Sequence, residues 1–326
     1  MSSLPEQPST PWSKAWGLRV PVVNAPMGGV AGGRLAAAVT AAGGLGLIGM
    51  GSAGSVAALR RELPFTDSLG GKFGIGLVGW VLEAEPELLD VAIEAGPALI
   101  TVGFADDCAW VDRIASAGIR TAAQVYNADD ARRAEDAGID VVVARGSEGG
   151  GHGAPEMTTL PLLDAVLKAV SVPVLAAGGI GSPASLAAVL ATGASGAWLG
   201  TRLAACSESL LHDAGRRAMI AADDGGDTVL TSVFDIAMEL PWPTRFPARV
   251  LRNEFTDRWA GDEDALRTDG EARGSVRAAA ESVDLRIAPI DAGQGVGMIT
   301  TVESARDVVT DMCSGAAELL TGPSPT

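Results

Sequence analysis

The chain has 326 residues, 47% of them hydrophobic, with a formal net charge of −16. Such a length holds one barrel of about 250 residues plus an addition, or two ordinary domains. The acidic balance argues against nucleic acid and against an anionic membrane surface, since both ask for a basic footprint.

Cys108, Cys206 and Cys313 are scattered and odd in number, so neither a disulfide framework nor a metal-ligand spacing is expected. With only two histidines in the chain, no metal site is expected either. The N-terminal "MSSLPEQPSTPWSK" is polar and rich in proline, unlike a signal peptide. No run reaches the roughly 20 apolar residues of a membrane span, so a cytoplasmic location is expected.

From residue 20 to residue 200 a short apolar run is repeatedly followed by an alanine-rich amphipathic segment. "VPVVNAPM" (20–27) predicts the first strand and "GRLAAAVTAAG" (33–43) its helix, with glycine at the C-terminal end. "LGLIG" (45–49) predicts the second strand, and "SVAALRREL" (55–63) a helix capped by Ser55. "KFGIGLV" (72–78), "ALITVGF" (98–104), "IRTAAQV" (119–125) and "IDVVVAR" (139–145) predict the next four strands. Their helices are "EPELLDVAIEAG" (85–96), "DCAWVDRIASAG", "NADDARRAEDAG" and a segment near 159–170. "VPVLAAGG" (172–179) and "GAWLGT" (196–201) predict the seventh and eighth strands. Between them lies "SPASLAAVLATG", with Ser182 as cap and Pro183 in the first turn.

Eight both-face apolar strands alternating with helices predict a closed (β/α)₈ TIM barrel of the α/β class. A doubly wound open sheet is the structural alternative. Beyond the eighth strand the rhythm breaks. "SESLLHDAGRRAMIAAD" predicts helix, 225–255 a short strand and a proline- and tryptophan-rich loop, and 257–286 a polar charged stretch. Residues 210–298 read as a small, mainly helical second domain, with 1–209 and 299–326 forming the barrel and 300–320 its returning helix.

In such barrels the working face lies at the strand C-termini, and a phosphate commonly sits on the loops after the seventh and eighth strands. Those loops are "AAGGIGSPAS" and "LGTRLA". Gly178, Gly179 and Gly181 would let backbone N–H groups approach an anion, and Ser182–Pro183 opens a helix whose positive end points the same way. Gly200 and Thr201 add donors. "NAPMGG" could offer Ala25, Pro26 and Met27 to a flat ring, Gln124 could bond its heteroatoms, and Arg145 could balance anionic charge. For Gln124 and Arg145 a plain polar cap on a strand end is the alternative.

"ARGSEGGGHG" (144–153) places His152 on a loop with five glycines among eight residues. A tight irregular turn, or a ligand lying against the backbone, would account for them. An imidazole titrates near neutrality and can exchange a proton with carbon, so His152 is the candidate catalytic base. His212 sits in an amphipathic segment and reads as structural. Glu148 is a candidate partner for the loop backbone.

"NAPMGG", "AAQV", "DVVVARGSEGGGHG", "TTLPLL", "VPVLAAGGIGS", "GAWLGTRLAACSES", "TSVFD", "ARVLRN" and "GQGVGMI", in this order, resemble the nitronate monooxygenase family, formerly 2-nitropropane dioxygenases. The resemblance implies an FMN-dependent flavoprotein, with the phosphate at Gly178, Gly179, Gly200 and Thr201. It further implies ring contacts from Ala25, Pro26, Met27 and Gln124, with Arg145, Gly151 and Ala177 completing the cofactor set, and His152 as base. The family also has a small domain covering the flavin, and "ELPWPTRFP" (239–247) would help wall the substrate pocket.

Two departures are visible. Gly153 stands where many relatives carry arginine, and Gly76 where many carry asparagine; either is expected to alter substrate choice without abolishing flavin binding. The implied reaction is oxidation of an alkyl nitronate by O₂ to a carbonyl compound and nitrite. One alternative is an FMN-dependent NAD(P)H reductase of enoyl thioesters or quinones, although "GGVAGG" (28–33) lacks dinucleotide spacing. Another is a non-catalytic flavin-binding protein. An inosine-monophosphate dehydrogenase type is disfavoured, because the loop after the sixth strand holds no cysteine. The expected partners are a small-molecule substrate and O₂, with NAD(P)H for the reductase reading and a homodimer among the admissible assemblies.

Overall fold

The computed structural model describes residues 7–105 and 107–322; residues 1–6 of the polar N-terminal stretch lie outside the described residues. Eight strands form one parallel sheet: β1 (Val22–Asn24), β2 (Leu47–Gly49), β3 (Gly74–Val78), β4 (Leu99–Gly103), β5 (Arg120–Val125), β6 (Val141–Arg145), β8 (Val174–Ala177) and β9 (Gly196–Leu199). The order runs β1-β9-β8-β6-β5-β4-β3-β2, and a parallel bridge between Val23 and Leu45 closes the ring. The eight predicted strands are these eight, and the sheet is a barrel. β7 (Gly151–His152), a two-residue strand, was not anticipated.

The seam between β1 and β2 is held by a side chain. Asn24 is fully buried; its Oδ1 accepts from Leu47 N–H at 2.6 Å and its Nδ2 donates to Leu47 O at 2.9 Å. One amide thus stands in for a ladder step where the backbone pairing is thin. Inside the ring, Val23, Leu47, Leu99, Val141, Val143, Leu175 and Trp198 pack together, with Trp12 from the N-terminal helix in the same cluster. Each such burial stabilises by about 1.5–3 kcal/mol.

The helices start where the sequence supplies caps. Ser55 accepts from Ala58 N–H at 3.2 Å and Asn127 from Asp130 N–H at 2.8 Å. Ser182 and Ser185 form a reciprocal capping box ahead of Pro183–Thr192, which ends at Gly193 in the left-handed region. The predicted 85–96 helix is Glu87–Glu94, and an unpredicted short helix, Gly79–Ala84, precedes it; Pro86 stands between the two, where a helix cannot run through. The last helix, Ala305–Thr321, packs on Pro183–Thr192 and completes the outer layer.

Residues 210–298 differ more from expectation. The helix predicted at 207–223 is confined to Asp213–Ala221, with His212 outside it as N-cap, its Nδ1 accepting from Gly215 N–H at 2.9 Å. The polar stretch 257–286 is mostly helical: Glu254–Trp259, Glu263–Thr268 and Gly270–Ser282. Narrow apolar stripes bury Phe255, Trp259, Leu266 and Val276 against Val233, Phe234 and Val250. β10 (Thr228–Thr231) and β11 (Ala248–Leu251) pair antiparallel, and β11 also pairs with β7. That small sheet ties the segment to the barrel mouth.

Candidate functional site

A cavity of about 240 Å³ opens at the strand C-termini. Ala25, Pro26, Met27, Gln124, Arg145, Gly151, His152, Ala177, Gly178, Gly179, Gly200 and Thr201 all line it. Residues chosen from five separate strand ends therefore converge on one space.

At one corner Gly178 and Gly179 turn the chain with φ of 108° and 67°, values that side chains resist. The backbone N–H groups of Gly178, Gly179 and Thr201 have no acceptor among the described residues. A buried donor left unpaired is costly, so such a cluster is suited to an anion. Gly181 is a correction: its N–H is spent on Ser185 Oγ at 3.1 Å and is not free for a ligand. Thr201 Oγ1 accepts from Gly293 N–H at 2.9 Å, which brings the 293–295 loop against the same corner. The donor set and the side-chain-free turn fit a phosphate group.

Beside Gly200 runs the 25–27 segment, which lies tightly over the ends of β2 and β3. A Cβ at position 76 would collide with the Pro26 ring, and one at Gly49 would collide with the Pro26 and Met27 backbone. Gly76 is thus the space that admits Pro26. Gln124 Oε1 accepts from the Tyr126 hydroxyl at 3.4 Å. Burial pushes that phenol up to about 12, so it stays a neutral donor at physiological pH.

Arg145 is buried, and its Nη2 donates to the carbonyls of Gly149, Gly150 and Gly151 at 3.1, 3.0 and 3.0 Å. It is therefore the internal prop of the glycine loop as well as a wall of the cavity. The glycines themselves answer to the protein's own packing. A Cβ at 146 would strike Thr159, one at 150 the Ala292–Gly293 backbone at 2.6–2.7 Å, and one at 153 the Arg145 guanidinium. Glu148 holds the loop from outside, its carboxylate accepting from Thr159 N–H at 2.9 Å and Thr159 Oγ1 at 2.8 Å.

His152 is fixed by the small sheet, in which it pairs with Ala248. Its Nε2 stands 3.0 Å from both carboxylate oxygens of Asp235. A carboxylate can only accept, so Nε2 carries the hydrogen and Nδ1 keeps the lone pair. Trp242 stacks on the imidazole at 3.5 Å with planes 7° apart, and its Nε1 donates to Ser52 Oγ at 3.2 Å. Phe104, strained at φ 60°, packs edge-on against Trp242 at 4.8 Å and Phe246 at 5.1 Å. Asp291 also faces the cavity. Enclosure by the protein and the nearby Asp235 carboxylate raise its pKa, against the opposing pull of His152 and Arg145.

Sequence reasoning did not single out Asp235, Phe104 or Asp291; it reached Trp242 only within the 239–247 segment expected to wall the pocket, and Trp242 does line the cavity. Asp235 was quoted only inside "TSVFD", where a carboxylate beside Val233 and Phe234 was the available signal.

The α/β barrel thus brings an anion corner and a histidine held by an aspartate to one cavity, an arrangement suited to a phosphate-bearing cofactor. The family model for nitronate monooxygenase matches residues 81–315. A hydroxy-methyl-oxo-octahydroindene-carboxyl-CoA dehydrogenase of Mycobacterium tuberculosis is 33% identical over 276 residues, 81% of this chain and 74% of that one. A nitronate monooxygenase of Paraburkholderia phytofirmans is 31% identical over 287 residues, 74% of this chain and 75% of the relative. Among solved structures, FabK from Thermotoga maritima has a TM-score of 0.83 at 30% identity, covering 96% of this chain and 98% of that one. A nitroalkane oxidase from Streptomyces ansochromogenes has a TM-score of 0.80 at 28% identity, covering 96% and 100%. The chain belongs to the nitronate monooxygenase family, whose members are flavin-dependent oxidoreductases.

Proposed function

We propose that the protein binds FMN and oxidises alkyl nitronates with O₂ to a carbonyl compound and nitrite. The observation that supports it is that His152, held by Asp235, lines the same cavity as a glycine corner of unpaired N–H groups. Gly178, Gly179, Gly200 and Thr201 would hold the phosphate, with Ala177 and Gly151 beside it. Ala25, Pro26, Met27 and Gln124 would border the ring, and Arg145 would offset negative charge. FMN, when bound, supplies the electron-transfer chemistry.

The chain's own residues supply position and proton handling. With a neutral nitroalkane, Nδ1 of His152 takes the proton from the carbon bearing the nitro group. The charge left on the nitro oxygens faces fixed donors in a cavity from which Trp242 and Phe104 exclude water. Asp235 keeps the imidazole in the correct tautomer and balances the imidazolium that forms. Residues 210–298 act as the cover that carries Asp235 and Trp242.

The test is the visible spectrum of the purified protein together with His152→Ala. The variant should keep its flavin peaks and lose about 10²-fold or more in turnover of a neutral nitroalkane. A preformed nitronate needs no deprotonation, so its turnover should fall far less. Equal losses with both substrates, or a colourless protein, would refute the reading.

A second reading, reduction of an enoyl thioester or quinone by NAD(P)H, is favoured by one observation: the Mycobacterium relative is named for a carboxyl-CoA substrate. Anaerobic mixing separates the two. Rapid flavin bleaching by NADPH supports the reductase, and bleaching by a nitronate alone supports the oxidase.

A further inference from the structure

The proposed reaction leaves negative charge on two nitro oxygens, and the cavity wall has to supply a donor for it. Several side-chain donors on that wall are committed elsewhere. Arg145 Nη2 holds the carbonyls of Gly149, Gly150 and Gly151, and Arg202 is paired with Glu303. Trp242 Nε1 is spent on Ser52. Gln124 and Thr201 belong to the ring and phosphate ends of the proposed cofactor site.

Ser52 has a donor to spare. It lines the cavity, half-buried, and its Oγ accepts from Trp242 Nε1 at 3.2 Å. A hydroxyl that accepts one hydrogen bond still has its proton to give, and accepting strengthens the donation. That proton has no acceptor among the described residues. The indole that Ser52 holds is the one stacked on the imidazole at 3.5 Å, so the hydroxyl meets the edge and the imidazole the face of one ring.

The loop after β2 that carries Ser52 is held in place. A Cβ at 28 would come within 2.4 Å of Gly51 Cα, and Gly54 N–H donates to Gly51 O at 2.7 Å, closing a turn around residue 52. A donor fixed before the substrate arrives costs no reorganisation when charge develops. Acting as a post for Trp242 uses a lone pair of the hydroxyl; it leaves the proton unused.

We propose that the Ser52 hydroxyl donates to an oxygen of the substrate's nitro group and sets the acidic carbon against Nδ1 of His152. The inference rests on the reading of His152 as base toward a nitroalkane, and it names the side chain that binds the substrate's head. That head is a planar pair of oxygens, so an unreactive carboxylate of the same shape should take the same place.

The holoprotein and its variants are titrated calorimetrically with propionate, the carboxylate isostere of nitroethane, and oxidation of ethyl nitronate is measured in parallel. Ser52→Ala should bind propionate at least about tenfold more weakly, the worth of one hydrogen bond to a charged group. Ser52→Thr, which keeps a hydroxyl, should recover part of that affinity. The same comparison in a Trp242→Phe background separates donor from post. Phenylalanine has no N–H to hold, so a direct donor still shows the loss there and a post shows none.

Failure of the wild type to bind propionate, binding indifferent to Ser52→Ala, or a loss that vanishes in the Trp242→Phe background would overturn the proposal. Ser52-dependent binding by a protein that oxidises no nitronate would keep the donor and remove the oxidase reading. Nitronate oxidation alongside propionate binding that ignores Ser52 would do the reverse.

Discussion

Both oxygens of Asp235 stand 3.0 Å from Nε2 of His152, although 83 positions separate the two residues. One small sheet accounts for this. β7 carries His152 and pairs with β11; β11 pairs with β10; and β10 runs directly into the helix Val233–Met238 that presents Asp235. Asp235→Ala should lower turnover of a neutral nitroalkane by about 10- to 100-fold, the usual cost of losing an orienting partner, with little change in KM. Steady-state kinetics on the folded variant checks it. A loss as large as that of His152→Ala would mean that Asp235 does more than orient.

Gly153 and Arg145 make a coupled pair. The guanidinium occupies the space a side chain at 153 would need, so an arginine there has no room while Arg145 keeps its place. Gly153→Arg should cost about 1–3 kcal/mol by overpacking, read as a lower denaturation midpoint. Adding Arg145→Ala should restore part of that loss, because it vacates the clash. Additive destabilisation in the double variant would show that the two positions do not compete.

The barrel was legible because its signals are local and repeated: both-face apolar runs, Ser55 and Ser182 as caps, glycine at helix ends. The anion corner was legible for the same reason, since the loops after the seventh and eighth predicted strands carry their glycines in the expected place. Asp235 was not, and Trp242 only as part of a wall segment, because their contacts with the imidazole exist only once the antiparallel sheet brings 235 and 242 to 152. Of the two reasons the sequence offered for the loop glycines, packing accounts for Gly146, Gly150 and Gly153, which make room for Thr159, the 292–293 backbone and Arg145, while Gly149, Gly150 and Gly151 line the cavity. Polar composition hid the three helices of 254–282, whose apolar stripes are only one or two residues per turn.

Asn24 should be worth more to stability than an ordinary surface residue. Asn24→Ala would leave the N–H and C=O of Leu47 unpaired in a fully buried seam. At about 1–3 kcal/mol for each of the two orphaned groups, a loss of about 2–6 kcal/mol is expected in urea unfolding. A loss below about 0.5 kcal/mol, the size of an ordinary surface change, would mean that the seam does not depend on the amide.

Asp291 gives the pH dependence a definite sign. Enclosure comes first among the causes that raise its pKa, followed by the Asp235 carboxylate, while His152 and Arg145 pull the other way. A folded-state value above the unfolded one means the native chain holds this proton longer as pH rises. The group's stabilising share is full below the ordinary carboxylate value of about 3.9 and is lost as pH climbs through the raised value. Asp291→Asn removes that ionisation, so its Tm should exceed that of the wild type at pH 7, with the gain shrinking as pH falls toward 4. Since the side chain is exposed to the cavity, solvent screening keeps the effect small. Thermal melts of both proteins between pH 4 and pH 8 measure it. A gain that grows on acidification would mean that Asp291 is held ionised by Arg145 and His152, the reverse of what its enclosure predicts.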